Sequence, residues 1–188
     1  MCGIAGVIDA SAGAGPESEA RLRGMAATLR HRGPDGEGVW LENESLGLVG
    51  LTQTRLAIID LSDAGKQPML SACGRFAMVY NGEAYNAEDL RAALGEDAPN
   101  WRGHSDSEAI LEHWARFGPR ATVDRLIGMF AIAVWDRRAR TLTLARDRFG
   151  LKPLYYRAGG GLFVFGSELR ALRAAGGWTP EIDRDAVA

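Results

Sequence analysis

Two cysteines in 188 residues, no long apolar run and no surplus of either charge sign remove several function classes before any motif is read. A membrane span needs about 20 consecutive apolar residues, and no stretch approaches that. The N-terminus lacks the basic flank and apolar stretch of a secretory signal, so the expected location is cytoplasmic, with no membrane partner. Lysine and arginine number 22 against 24 acidic residues, for a net charge of -2. With no basic block, an electrostatic nucleic-acid footprint is not expected. Cys2 and Cys73 remain thiols in a reducing compartment and have no metal-ligand spacing, so no metal is expected. Internal repeats, low-complexity linkers and strand–helix alternation of the βαβ kind are missing too. The one glycine cluster, "AGGGLF", reads as a hairpin turn rather than a phosphate cradle.

What is present suits one globular domain, with 46 % hydrophobic residues. "GIAGVI" reads as a first strand. "PESEARLRGMAATLRHRGP" reads as an amphipathic helix with Leu22, Met25, Ala26 and Leu29 on one face, stopped by Gly33 and Pro34. A hairpin is expected around Glu42 to Ser45, a β-branched strand in "TRLAIIDL", and a strand running into an Asn81-Gly82 turn in "GRFAMVYNGEAYN". Asn86 is placed to cap a helix over "NAEDLRAAL". "SDSEAILEHWARFG" reads as another helix, with Ile110, Trp114 and Phe117 on one face and Gly118 at its end. "MFAIAVWDRRARTLTLAR" and "LYYRAGGGLFVFG" read as hairpins, and "SELRALRAAGG" as a short closing helix. The pattern predicts an α+β domain with mostly antiparallel sheets covered by helices.

Five short stretches carry polar residues that packing does not require: Cys2, "HRGPDG", "TRLAIID", "YNGE" and "SDSE". Each has an ordinary reading. Cys2 can be a small buried hydrophobe, Arg55 a surface ion-pair partner, Asn81-Gly82 a hairpin dipeptide, Asp106 an N-cap, and Cys73 a turn residue. The combination with a cysteine directly behind Met1 is what these readings leave over.

The ordered blocks "MCGIAGV", "LRHRGPDGEG", "RLAIIDLSDAGKQPM", "YNGEAYN", "SDSEAIL", "GMFAIAVWD" and "ARDRFGLKPLYY" resemble the glutaminase domain of class II glutamine amidotransferases. These are the N-terminal-nucleophile type, and "HRGPDG" and "GLKPLYY" resemble the branch found in glutamine-hydrolysing asparagine synthetases. The resemblance covers residues 1–188 and implies a four-layer αββα sandwich. It implies hydrolysis of L-glutamine to glutamate and ammonia through a thioester on Cys2, for amidation of an acid acceptor such as aspartate. Removal of Met1 would leave a thiol and a free α-amine on one residue. Their ordinary pKa values, about 8.5 and about 8, allow the amine to take the thiol proton near neutrality.

By the same resemblance, Asn81 and Gly82 match the oxyanion hole, and Arg55 the grip on the substrate α-carboxylate. Asp106 matches the holder of the α-ammonium, and Leu56, Ala57, Ile58, Ile59 and Glu83 match the pocket wall. Gly82 is expected to be side-chain-free so that the substrate is not crowded. Gln53 departs from the family, which commonly has histidine there. A synthetase domain with an "SGGxDS" loop follows in the family and is not found in these residues. ATP and magnesium are therefore expected only with that absent domain, present as a linked domain or a partner subunit, and a homodimer is allowed. The alternatives are a catalytically silent binding module on the same fold, an amidotransferase serving another acceptor, and a peptide-cleaving hydrolase of the wider N-terminal-nucleophile group.

Overall fold

Alternating side chains along the strands of this computed structural model sort the core into three separate layers. The structure describes residues 1–44, 47–58, 60–177 and 185. In chain order the elements are β1 (Gly3–Asp9), α1 (Pro16–Ala27), β2 (Gly36–Glu44), β3 (Gly47–Arg55), β4 (Met69–Leu70), β5 (Phe76–Ala84), α2 (Ala87–Leu94), α3 (Asp106–Arg125), β6 (Gly128–Asp136), β7 (Thr141–Arg146), β8 (Tyr155–Gly159), β9 (Leu162–Gly166) and α4 (Leu169–Ala175). One sheet runs β2-β3-β1-β9-β8 and the other β4-β5-β6-β7. Every pairing is antiparallel.

Strands β5 and β6 are apolar on both faces, and the period of two divides them. Met78, Tyr80, Ile132 and Val134 meet Ile110, Leu111 and Trp114 of α3. Ala77, Val79, Ala131, Ala133 and Trp135 face Ile4, Val49, Leu51 and Phe165 of the other sheet. Ala5, Val7 and Val164 turn the opposite way, toward Leu22, Met25 and Leu29 and toward Leu172 of α4. Helices on the first sheet, two facing sheets, then helices on the second give the expected αββα sandwich. Each large side chain fully buried in these layers contributes roughly 1.5–3 kcal/mol of transfer free energy.

The local expectations differ from the structure at six places. Helix α1 ends at Ala27, short of Gly33. Thr28 is its C-cap, its hydroxyl turned back to the Met25 carbonyl, and tight turns through Arg32 follow. The "TRLAIIDL" strand stops at Arg55, and the chain beyond is loop. Among the described residues Ile58 has no neighbouring strand to pair with, and the Arg55 guanidinium draws the loop in through the carbonyls of Ser62 and Asp60. Asn81 and Gly82 lie inside β5, opposite Ala131 and Phe130, and make no turn. β6 supplies the partner that a turn would have removed.

Asn86 occupies the N-cap position of α2 without a capping bond. Its amide spans to the end of α3, donating to the Arg125 carbonyl and accepting from the Ile127 N–H. Asp106 is the first residue of α3; the cap is Ser105, which accepts from the Glu108 N–H. Gly118 interrupts α3 with φ +84° as expected of a C-terminal glycine, but a further helical stretch begins at Pro119. The first hairpin forms between β2 and β3, and its tip at 45–46 lies outside the described residues.

Candidate active site

Strand register carries Cys2 to its neighbours. Gly3 pairs with Thr54, so Cys2 falls beside the end of β3, where its Sγ accepts from the Leu56 N–H at 3.4 Å. From the other side Arg32 donates to the Cys2 carbonyl at 3.1 Å, and Glu168 holds Arg32 at 2.9 Å. The nucleophile candidate is thus clamped through its backbone while its thiol faces a cavity of about 180 Å³.

The free edge of β5 forms the opposite wall. Phe130 turns both its N–H and its carbonyl toward Asp147, so its partner Gly82 faces outward from the sheet. The outward N–H groups on either side of Gly82 are taken. Tyr80 donates to Gln67 Oε1 at 2.6 Å and Ala84 to Asp106 Oδ2 at 2.9 Å. Gly82 stands between them on the same edge. A Cβ at Gly82 would lie 2.4 Å from the Met129 carbonyl oxygen, so the adjacent strand by itself already excludes a side chain there. The Asn81 side chain is buried, and among the described residues its Nδ2 has no hydrogen-bond partner.

Asp106 is buried at the start of α3 and accepts the Tyr80 hydroxyl at 2.8 Å and the Ser107 N–H at 2.9 Å. Burial pushes its carboxyl above the usual range, against the pull of the Ala84 N–H and the Tyr80 hydroxyl. Burial, with the Asp106 charge beside it, sends the Tyr80 phenol well above its ordinary value. Arg55 spends donors on the Ser62 and Asp60 carbonyls and still has others, since a guanidinium carries five. Asp60 is held down to about 2 by the Ser62 hydroxyl and by the N–H groups of His104 and Ser62.

Of the residues singled out from sequence, Cys2, Arg55, Leu56, Ala57, Ile58, Asn81, Gly82, Glu83 and Asp106 line this one cavity, although they span the first two-thirds of the chain. Ile58 lies at the rim with its side chain exposed. Ile59 lies outside the described residues. Gln53, where the family commonly has histidine, is buried and donates to the Tyr80 carbonyl at 2.9 Å, tying the two sheets together beside the cavity. Sequence reading missed Tyr80, Gln67, Ser107, Met129 and Lys152 as lining residues. Tyr80 sits in an apolar run and reads as core; the lysine of "GLKP" was the better signal, because a lysine next to apolar residues has to find a polar destination.

A sequence description of the glutamine amidotransferase domain family matches residues 1–188. The chain is 39% identical over 188 residues to asparagine synthetase [glutamine-hydrolyzing] 3 of Bacillus subtilis, covering 98% of this chain and 29% of that protein. It is 38% identical over 173 residues to asparagine synthetase 2 of the same organism, covering 92% of this chain and 22% of that one. The chain therefore spans less than a third of these curated relatives. Among solved structures, glutamine phosphoribosylpyrophosphate amidotransferase from B. subtilis superimposes with a TM-score of 0.69 at 20% identity, over 93% of this chain and 43% of that one. At that identity the likeness concerns the fold, which is the N-terminal-nucleophile sandwich.

Proposed function

The chain belongs to the glutamine amidotransferase domain family and is homologous to the glutaminase part of glutamine-hydrolysing asparagine synthetases, and from that premise we propose how its residues perform the reaction. The domain spans residues 1–188. Cleavage between Met1 and Cys2 frees the Cys2 amine, which takes the thiol proton. The thiolate attacks the glutamine side-chain carbonyl carbon, a C–S bond forms, and the carbonyl electron pair moves to oxygen. Asn81 Nδ2–H and the Gly82 N–H receive that oxyanion. As it collapses the C–N bond breaks, and ammonia leaves with the proton the amine had held. Water then attacks the thioester, the C–S bond breaks, and glutamate is released. Arg55 grips the α-carboxylate and Asp106 the α-ammonium, which selects a free amino acid over a peptide. Nothing in these steps calls for a cofactor.

The observation that carries this reading is the unpartnered Asn81 amide in the cavity that holds Cys2 and Asp106. A buried donor without a partner costs roughly 1–3 kcal/mol, and an oxyanion would satisfy it. A silent binding module would have no use for it. Ammonia made here passes to a synthetase domain or subunit that amidates an acid such as aspartate with ATP and magnesium, in the cytoplasm. Among the described residues no helix is long and apolar enough to cross a membrane. Exposed Phe149, Leu151, Tyr156 and Leu169 offer that partner an apolar surface.

The test is to incubate the purified chain with glutamine, aspartate and ATP and to measure glutamate, ammonia, AMP and asparagine. Glutamate and ammonia without AMP are expected from residues 1–188 alone, together with stoichiometric labelling of Cys2 by a thiol-trapping glutamine analogue. Absence of both ammonia and labelling would favour the silent module.

A further inference from the structure

Lys152 belongs to a block, "ARDRFGLKPLYY", that the proposed mechanism leaves without a task. The residue is 6% exposed and lines the same cavity as Cys2. Only its backbone is bonded: the N–H donates to Asp147 Oδ2 at 3.0 Å, and the carbonyl accepts from Arg146 Nε at 2.7 Å. Among the described residues the ammonium has neither an ion-pair nor a hydrogen-bond partner. Burying such a cation unpaired is unfavourable, and a fold retains one where a ligand or a reaction supplies the missing negative charge.

Asp147 decides where in the cavity the ammonium lies. Its carboxylate collects the N–H groups of Phe149, Leu151 and Lys152 at 3.1, 2.8 and 3.0 Å, and that of Phe130 at 3.2 Å. Phe130 is the strand partner of Gly82. The Lys152 backbone is thus tied, through Asp147 and Phe130, to the strand position opposite Gly82. The other charged or titratable groups of the cavity are Arg55, Asp60, Glu83, Asp106 and the Tyr80 phenol. Arg55 and Asp60 are engaged in the loop, and Asp106 is held by Tyr80. Glu83 is exposed and forms no bond with the lysine.

We propose that Lys152 presents its ammonium to the reacting end of the glutamine pocket, where it balances the negative charge that develops at Cys2 and on the amide oxygen. This rests on the glutaminase reading above. Glutamine brings one charge of each sign, met by Arg55 and Asp106, so the Lys152 ammonium gains no ground-state partner from the substrate. The thiolate and then the oxyanion provide one. Lys152 gives and takes no proton; it acts through its field in a site with little water, where charges interact strongly.

The test compares K152M and K152R with the wild-type chain. Two quantities are read: glutaminase kcat and KM, and the rate at which iodoacetamide alkylates Cys2 at pH 7 without glutamine, followed on the Cys2 peptide so that Cys73 does not contribute. For K152M, kcat is expected to fall by about 10² with KM within about threefold, and alkylation to slow by about three- to tenfold. K152R keeps the charge and stays within about threefold on both. A folded K152M with unchanged kcat and alkylation overturns the proposal, as does an equal loss in both variants or a change confined to melting temperature. If the glutaminase reading itself fails, wild type releases no ammonia, while the alkylation comparison still reports on the lysine.

Discussion

The Tyr80 hydroxyl donates to Asp106 Oδ2 at 2.8 Å, across 26 positions of chain. With the Ala84 N–H on the same oxygen, the bond fixes the carboxylate, and Oδ1, which accepts the Ser107 N–H, is the atom that receives the substrate ammonium in the proposed mechanism. Replacing Tyr80 by phenylalanine should raise KM for glutamine about tenfold, roughly 1.4 kcal/mol, with kcat within about threefold. D106N should raise KM by at least about 100-fold. An analogue without the α-amine should be processed equally well by wild type and Y80F. Steady-state kinetics on both substrates read the difference, and an equal loss on both would reduce Tyr80 to packing.

Acid should weaken glutamine use earlier than an ordinary aspartate would predict. In the proposed mechanism only ionised Asp106 attracts the α-ammonium, and burial raises its pKa. The fall of kcat/KM on the acid side should therefore lie above about 3.9, the ordinary aspartate value. In Y80F a bond favouring the charged form is lost, so the limb should move to still higher pH. A limb centred below 4 in wild type would remove Asp106 from substrate binding.

Stability should respond to Asp60 with the opposite sign. Its pKa is lowered to about 2 in the folded chain by Ser62 and His104. The stability it contributes is complete above about 4 and is lost as pH falls toward 2, because the unfolded chain takes the proton first. Urea melts from pH 6 to pH 2.5 should show a smaller acid decline in D60N than in wild type. Parallel curves for the two would contradict the assignment.

Removing the Asn81 amide should separate catalysis from stability. N81A deletes an oxyanion donor and should lower kcat by about 10²–10³. It also deletes a buried donor that has no partner, a relief of roughly 1–3 kcal/mol that offsets the lost packing. The expected pattern is a severe kinetic defect with an almost unchanged melting temperature. A melting temperature that collapses in step with activity would argue that Asn81 serves the strand.

Gly82 should tolerate nothing larger. Its Cβ would meet the Met129 carbonyl oxygen at 2.4 Å and Cα of Phe130 at 2.9 Å, both backbone atoms that cannot swing aside. G82A should cost about 1–3 kcal/mol of unfolding free energy by forcing β5 and β6 apart, and activity should fall with it. Denaturant unfolding checks this, and a stability equal to wild type would mean that the strands yield freely.

Sequence alone determined the strands and the helices with one buried stripe, because periodicity is a local property, and the resemblance of its ordered blocks supplied the candidate residues around the cavity. Alternation in "FAMVY" and "FAIAVW" was enough to require cover on both faces of a sheet. What tertiary structure decided was the use of ambiguous pieces. Asn81-Gly82 suits a turn or a strand equally, and pairing with β6 chose the strand. Ser105 and Asp106 are both good caps; Ser105 took the helix, which left Asp106 for Tyr80 and the cavity. Tyr80 and Lys152, neither of them a site candidate from sequence, were brought to one pocket by β5 and the Asp147 loop. Such choices depend on partners far away in the chain, and a local stretch carries no information about which distant hydrogen-bond partner will reach it first or best.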